Sequence, residues 1–251
     1  MILTAVKLEL RKARGLRVVL VCAVMVAAVV GLACMNLMSD SAREGFGDPS
    51  AQPWEGLLMS YVMIAAMTSP LLVAVLASRQ VDIEHQGRGW TLSRVAGFGP
   101  GLLCRAKVAV LGLLLAAAVA VQTALVLTAG LAAGITVEPR VGMWVQYAVG
   151  LLLVDLAMLC LHVLLAALVE NQLVGLALGL LGSFCGVFAL LLPPALARVL
   201  PWGYYAVVSP LGTGGEGFTA ITPGYGWLAA FLLLVAVLFA VVGHRFDRTE
   251  A

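Results

Sequence analysis

The chain has 251 residues, 62% of them hydrophobic and only 11% charged, with a formal net charge of +2. A soluble domain is roughly 45–50% apolar and about 25% charged, so this composition excludes one: it would expose more apolar area than water tolerates. A net charge so near zero gives no case for nucleic acid as a partner, and length is better counted in membrane spans of about 20 apolar residues each.

Residues 1–17 carry Lys7, Arg11, Lys12, Arg14 and Arg17, with Ile2, Val6, Leu10 and Ala13 recurring at helical spacing. This predicts a short amphipathic helix in the headgroup plane; a plain basic lead-in to the first span is the alternative. The apolar run 18–38 exceeds the 7–15 residues of a signal-peptide core, so a retained first span is expected. A polar loop, 39–56, leads to a second span, 57–78, in which Pro70 removes a backbone hydrogen bond and favours a kink. After the long polar stretch 79–107 come a third span, 108–134, and a fourth, 141–169. Both are longer than a perpendicular crossing needs, so tilt or protrusion is expected. Glu170-Asn171-Gln172 turns the chain into a fifth span, 172–192, which Pro193-Pro194 stop. Residues 193–223 are rich in Pro, Gly and aromatics. Their apolar piece, 195–200, is too short to cross and is expected to lie at the surface or re-enter. The run Gly212-Thr213-Gly214-Gly215-Glu216-Gly217 lacks the lysine of a phosphate-binding loop and reads as a flexible loop. A sixth span, 224–243, and a polar tail complete the chain. The expected fold class is an all-α polytopic membrane protein of about six spans forming one transmembrane domain.

Charge and aromatics orient it. With both termini on one side, twelve of the fifteen Lys and Arg fall there and three, Arg43, Arg140 and Arg198, on the other. The positive-inside rule then places both termini in the cytoplasm of a cell-membrane protein. Trp54, Tyr61, Trp144, Tyr147, Trp202, Tyr204, Tyr205, Tyr225 and Trp227 fall near the opposite ends of the spans, as an outer aromatic belt would, and Trp90 alone lies on the termini side.

Reactive chemistry is sparse. Cys22, Cys34, Cys104, Cys160 and Cys185 show no Cys-x-x-Cys spacing and read as small hydrophobes, so neither a metal nor a disulfide framework is expected. No P-loop, H-E-x-x-H or G-x-S-x-G is present, so neither a cofactor nor an enzyme is expected. Asp155 lies at the midpoint of the fourth span, and His162, two turns on, shares its face. A charge there costs roughly 2.5–3.5 kcal/mol, so Asp155 is expected to face the bundle, as a substrate or proton site or as a structural contact. His162 leans structural, and Gln122 reads as an interhelical hydrogen bonder. Gly175, Gly179, Gly182 and Gly186 follow i, i+4, i+7, i+11 and make a close-packing stripe, within the chain or between two chains.

The stretch 79–107 mixes Asp82, Glu84, Arg88 and Arg94 with Trp90 and Leu92, which suits either a solvated loop or a docking surface for a cytoplasmic partner. Here the chain resembles the ABC-2-type permease family, the membrane subunits of ABC exporters, and within it the permeases of lantibiotic-protection and related peptide-antibiotic exporters. The basic amphipathic start, the order Glu84, Gly87, Trp90, Leu92, Arg94 and Lys107, and Pro201-Trp202 with Pro210 carry the resemblance. The family's Pro-Val/Ile-Ser-Arg step is replaced by Arg94-Val95-Ala96-Gly97-Phe98-Gly99-Pro100. The resemblance implies that Asp82, Glu84, Gly87, Arg88, Trp90, Leu92 and Arg94 form a coupling helix docking on a separate cytoplasmic ATPase subunit. It also implies a second permease subunit, identical or related, in membrane lipid. A proton-coupled carrier using Asp155 and His162, and a membrane assembly factor, are the alternatives.

Overall fold

The computed structural model describes residues 2–214 and 217–249; Met1, Gly215 and Glu216 of the Gly-rich run, Glu250 and Ala251 lie outside the described residues. Helix α1 (Ile2–Gly15) ends at Leu16-Arg17, and Arg17, in the left-handed region at φ 54°, turns the chain by 64° into α2 (Val18–Ala33). A 3-10 turn, Met35–Met38, extends this first crossing, and the short α3 (Asp40–Glu44) follows. The long helices are α4 (Pro53–Gln86), α6 (Pro100–Ala133), α7 (Val141–Leu168), α8 (Gln172–Ala189) and α11 (Tyr225–Thr249), with α5 (Gly89–Val95) between α4 and α6. Among the described residues five helices are long and apolar enough to cross a membrane, and the number is six if the bent α1–α2 pair is counted as one span. The protein is an all-α polytopic membrane protein, as its composition requires.

At 34 residues, α4 and α6 are each about 51 Å long, well beyond the roughly 30 Å hydrocarbon core of a bilayer. The polar stretch 79–107 is therefore mostly helix: α4 continues past Ser78 to Gln86, and α6 begins at Pro100, where proline suits the first turn. Helix α4 is the hub, packing on α2, α6, α7 and α8, and it runs through Pro70 without interruption. Both chain ends meet the start of α6. Glu9 and Lys107 pair there, and Asp247 near the end of α11 accepts from Gly101 N and Arg105 Nη2, each at 2.9 Å. The two termini thus share one end of the bundle, called the termini end below.

The opposite, far end corrects the aromatic belt. Trp54, Tyr61, Trp144 and Tyr147 are at most 3% exposed and pack on one another; Tyr61 stacks on Trp144 and meets Tyr147 edge-on at 5.3 Å. Trp54 Nε1 donates to Val137 O at 2.6 Å. These rings are an interior wedge, because apolar faces and a satisfied polar tip suit a helix junction as well as a headgroup layer. Among the aromatics named for the belt, Tyr225 and Trp227 are the ones mostly exposed.

Residues 193–223 are also more ordered than a loop. They hold α9 (Pro194–Ala197), a 3-10 turn (Pro201–Gly203), α10 (Tyr204–Val207) and an antiparallel hairpin, β1 (Leu211–Gly214) with β2 (Gly217–Ala220), in the register Leu211 with Ala220. Gln52 clips the hairpin to the start of α4, donating to Phe218 O at 3.0 Å and accepting from Phe218 N at 2.8 Å. The segment re-enters the bundle: Trp202 lies against Gly182 in mid-α8, and Val208 lies against Gly150 of α7.

Candidate functional site

The charged centre of the molecule lies at the termini end. Glu9 is the lone acid of α1 and sits one turn before Lys12; Gln80 and Glu84 sit one turn apart on α4; Lys107 lies in the second turn of α6. These spacings place all five side chains on facing helix surfaces. Lys107 is 0% exposed, and its ammonium donates to Glu9 Oε2 at 2.7 Å, Glu84 Oε1 at 2.7 Å and Gln80 O at 2.9 Å, which uses all three protons. Glu9 and Glu84, at 0% and 2% exposed, are bridged a second time by Lys12 Nζ at 2.9 and 2.5 Å. Gln80 Nε2 adds bonds to Glu9 O and Oε2. Two carboxylates and two ammoniums make the cluster neutral, which is the condition for burying charge at all. Burial alone would lower the pKa of Lys12, but Glu84 and Glu9 outweigh it and hold the ammonium above its usual range.

Helix α5 hangs from this cluster. A left-handed Arg88, at φ 51° and ψ 31°, breaks the chain between α4 and α5. Gly89 comes so close to Glu84 that a Cβ there would stand 2.8 Å from the Glu84 Cα. No residue of α5 is buried: Leu92 is 65% and Val95 86% exposed. Trp90 is half-buried and meets His85 edge-on at 5.8 Å, while His85 Nε2 donates to Ala166 O at 2.9 Å and ties α4 to α7. Arg94 and Trp90 line a cavity of about 200 Å³ with Glu170 and Phe246. Of the residues expected in the coupling segment, Gly87, Arg88, Trp90, Leu92 and Arg94 lie together on or beside this exposed helix. Asp82 lies on α4, bonded to Gln86, and Glu84 points inward to Lys107 and Lys12.

The membrane-embedded polar residues lie apart from this centre. Asp155 is 1% exposed and accepts from Tyr205 Oη at 2.8 Å, so it anchors the re-entrant segment to α7. His162 Nδ1 donates to Met158 O in its own helix at 3.0 Å, and its buried Nε2 has no hydrogen-bond partner among the described residues. Gln122 is buried beside Thr123, whose hydroxyl pairs with that of Tyr61 at 3.0 Å. The glycine stripe faces α4 and the re-entrant segment: Gly175 towards Ser78, Gly179 towards Ala74 and Pro70 O, Gly182 towards Trp202, Gly186 towards Ala66 O. The stripe is packed within the chain. Ala66 O is also the carbonyl that lacks an N–H partner at Pro70, so proline and glycine fall at one crossing.

Sequence reasoning named Glu84 and Lys107 but missed Glu9, Lys12 and Gln80 as their partners. One signal was available: Glu9 is the sole acid in an otherwise basic amphipathic helix.

Among the described residues no group of metal-ligating side chains is assembled. Long apolar helices, a buried neutral ion cluster at one end and an exposed short helix beside it define a multi-pass membrane protein. The family model described as ABC-2 family transporter protein matches residues 5–186, from α1 through α8. The chain belongs to the ABC-2 transporter family, membrane transport components that are not themselves catalytic and that work with ATP-binding cassette ATPase subunits. No curated protein matches the sequence.

Proposed function

We propose that this chain is the membrane-spanning permease subunit of an ATP-binding cassette exporter in the cell membrane. It moves a peptide antibiotic, drug or lipid-like substrate, with both termini in the cytoplasm and a second permease subunit, identical or related, beside it. The observation that carries this reading is α5, a short helix with Leu92 and Val95 exposed, hanging from the ion cluster that joins α1, α4 and α6. A helix with no buried residue gains little from its own chain, so its apolar side chains suit a partner surface. Movement of the ATPase pair would press on α5. Through Gly89 against Glu84 the push would reach three helices at once, shifting the bundle between two packings that ATP binding biases.

The test is co-purification of the tagged chain with its ATPase from native membranes, for the wild type and for the double variant Leu92→Asp/Val95→Asp. These two positions are exposed, so the variant is expected to fold normally and to lose the ATPase. An ATPase retained by the double variant removes α5 as the docking element, and a wild type that brings down none removes the exporter reading.

A further inference from the structure

The far end of the molecule carries three cations, and two have protein partners. Arg140 stands 3.7 Å from Glu55, and Arg43 Nε donates to Leu37 O at 3.3 Å. Arg198 is the third. Among the described residues no carboxylate lies within ion-pair distance of it, and its buried Nε has no acceptor. Its guanidinium carbon stands 5.3 Å from the centroid of the Trp227 ring. A ring face attracts a cation and fixes its position, but it does not neutralise the charge.

Arg198 lines a cavity of about 190 Å³ between the end of α8, the re-entrant segment and the start of α11. Leu190, Leu192, Val207 and Ile221 supply apolar walls, and Thr222 supplies a hydroxyl. Leu192 and Ile221 are 37% and 47% exposed, so the apolar walls continue out of the cavity. Its depth in the bilayer follows from Tyr225 and Trp227, the exposed aromatics of the far end. Such rings sit at the headgroup level. One opening thus combines, at headgroup depth, a guanidinium with no carboxylate beside it among the described residues and apolar walls leading from it.

We infer that this cavity binds an anionic phospholipid, with Arg198 and Thr222 holding the phosphate and the Leu190, Leu192 and Ile221 wall receiving the upper part of an acyl chain. The planar guanidinium matches phosphate oxygens in a two-pronged fashion, and basic recesses between spans suit lipid headgroups. A free phosphate would use the arginine but leave the apolar walls wet. A neutral zwitterionic lipid would use the walls but bring its own cation to an arginine. The site is independent of the ion cluster and of α5.

The full chain in an uncharged detergent is titrated with phosphatidylglycerol, with phosphatidylcholine and with soluble glycerol phosphate, and the thermal midpoint is followed. Phosphatidylglycerol is expected to raise the midpoint saturably, phosphatidylcholine to do so several-fold more weakly, and glycerol phosphate not to act. Arg198→Gln is expected to abolish the increment, and Arg140→Gln to keep it. Should Arg198→Gln fail to fold, Ile221→Glu keeps the arginine and places a carboxylate at the mouth, and it too is expected to abolish the increment. Equal stabilisation by the two lipids, an undiminished response in Arg198→Gln or Ile221→Glu, or a response to glycerol phosphate equal to that of the lipid would each overturn the assignment. The readout needs neither ATPase nor transport, so its outcome is separate from that of the proposed function.

Discussion

Lys107, fully buried, directs its three protons at two carboxylates and a carbonyl, and such an arrangement costs little only while every partner is present. Lys107→Met would leave Glu9 and Glu84 facing each other with Lys12 alone between them. Removing one partner from a buried ion pair costs about 3–5 kcal/mol, so a large fall in the thermal midpoint is expected. The double variant Glu9→Gln/Lys107→Met removes one carboxylate with the ammonium, leaves Lys12 paired with Glu84, and is expected to unfold at a higher temperature than the single variant. If the single variant is the milder one, the cluster is not held by charge. Lys12 gives a pH dependence of stated sign. Its pKa is raised in the folded protein, so its contribution is complete below the ordinary value of 10.5 and is lost as pH rises through the folded value. The stability gap between wild type and Lys12→Gln is therefore expected to be flat at neutral pH and to close only in strong alkali. A gap that closes near neutrality would show that Lys12 is not held as described.

At the scale of elements, the helices were legible because each apolar run exceeds the length a span needs, and the stripe on α8 was legible from its spacing alone. What the stripe faces was not, since spacing fixes a face but not its neighbour. That neighbour makes the stripe testable. A Cβ at Gly179 would overlap Ala74 and stand 3.2 Å from Pro70 O, whereas one at Gly175 would meet only Ser78 Oγ, at 3.9 Å. Gly179→Ala is expected to cost about 1–3 kcal/mol by forcing α8 off α4, with Gly175→Ala close to neutral. Equal midpoints for the two variants would mean that α8 does not cross α4 where the contacts place it. The ends of α4 and α6 were illegible for a different reason. Charged residues lower hydropathy, and a hydropathy reading stops at Arg79. The helix does not stop there, because Glu84 finds Lys107 and Lys12 across two other helices, and partners 23 and 72 residues distant leave no local mark. The hairpin was missed because Gly212 and Gly217 read as loop. Its pairing is secured by Gln52, 166 residues from Phe218.

For the whole molecule, the charge count and the packing both put the two termini at one end. Twelve cations divide from three along the sequence, and the ends of α1 and α11 both meet the start of α6. The aromatics, by contrast, mark the far end as an interior wedge, so they locate a junction and do not orient the chain. Orientation therefore rests on charge, and it can be measured. Single cysteines at Val95 on α5 and at Glu44 on α3 are placed in a chain whose native cysteines are replaced; both positions are exposed and lie at opposite ends of the bundle. A membrane-impermeant maleimide is expected to label Glu44→Cys in intact cells and Val95→Cys only in inverted vesicles. The reverse pattern would put the basic end outside against the positive-inside bias. It would also leave α5, proposed above as the docking element, in a compartment where a cytoplasmic ATPase could not touch it.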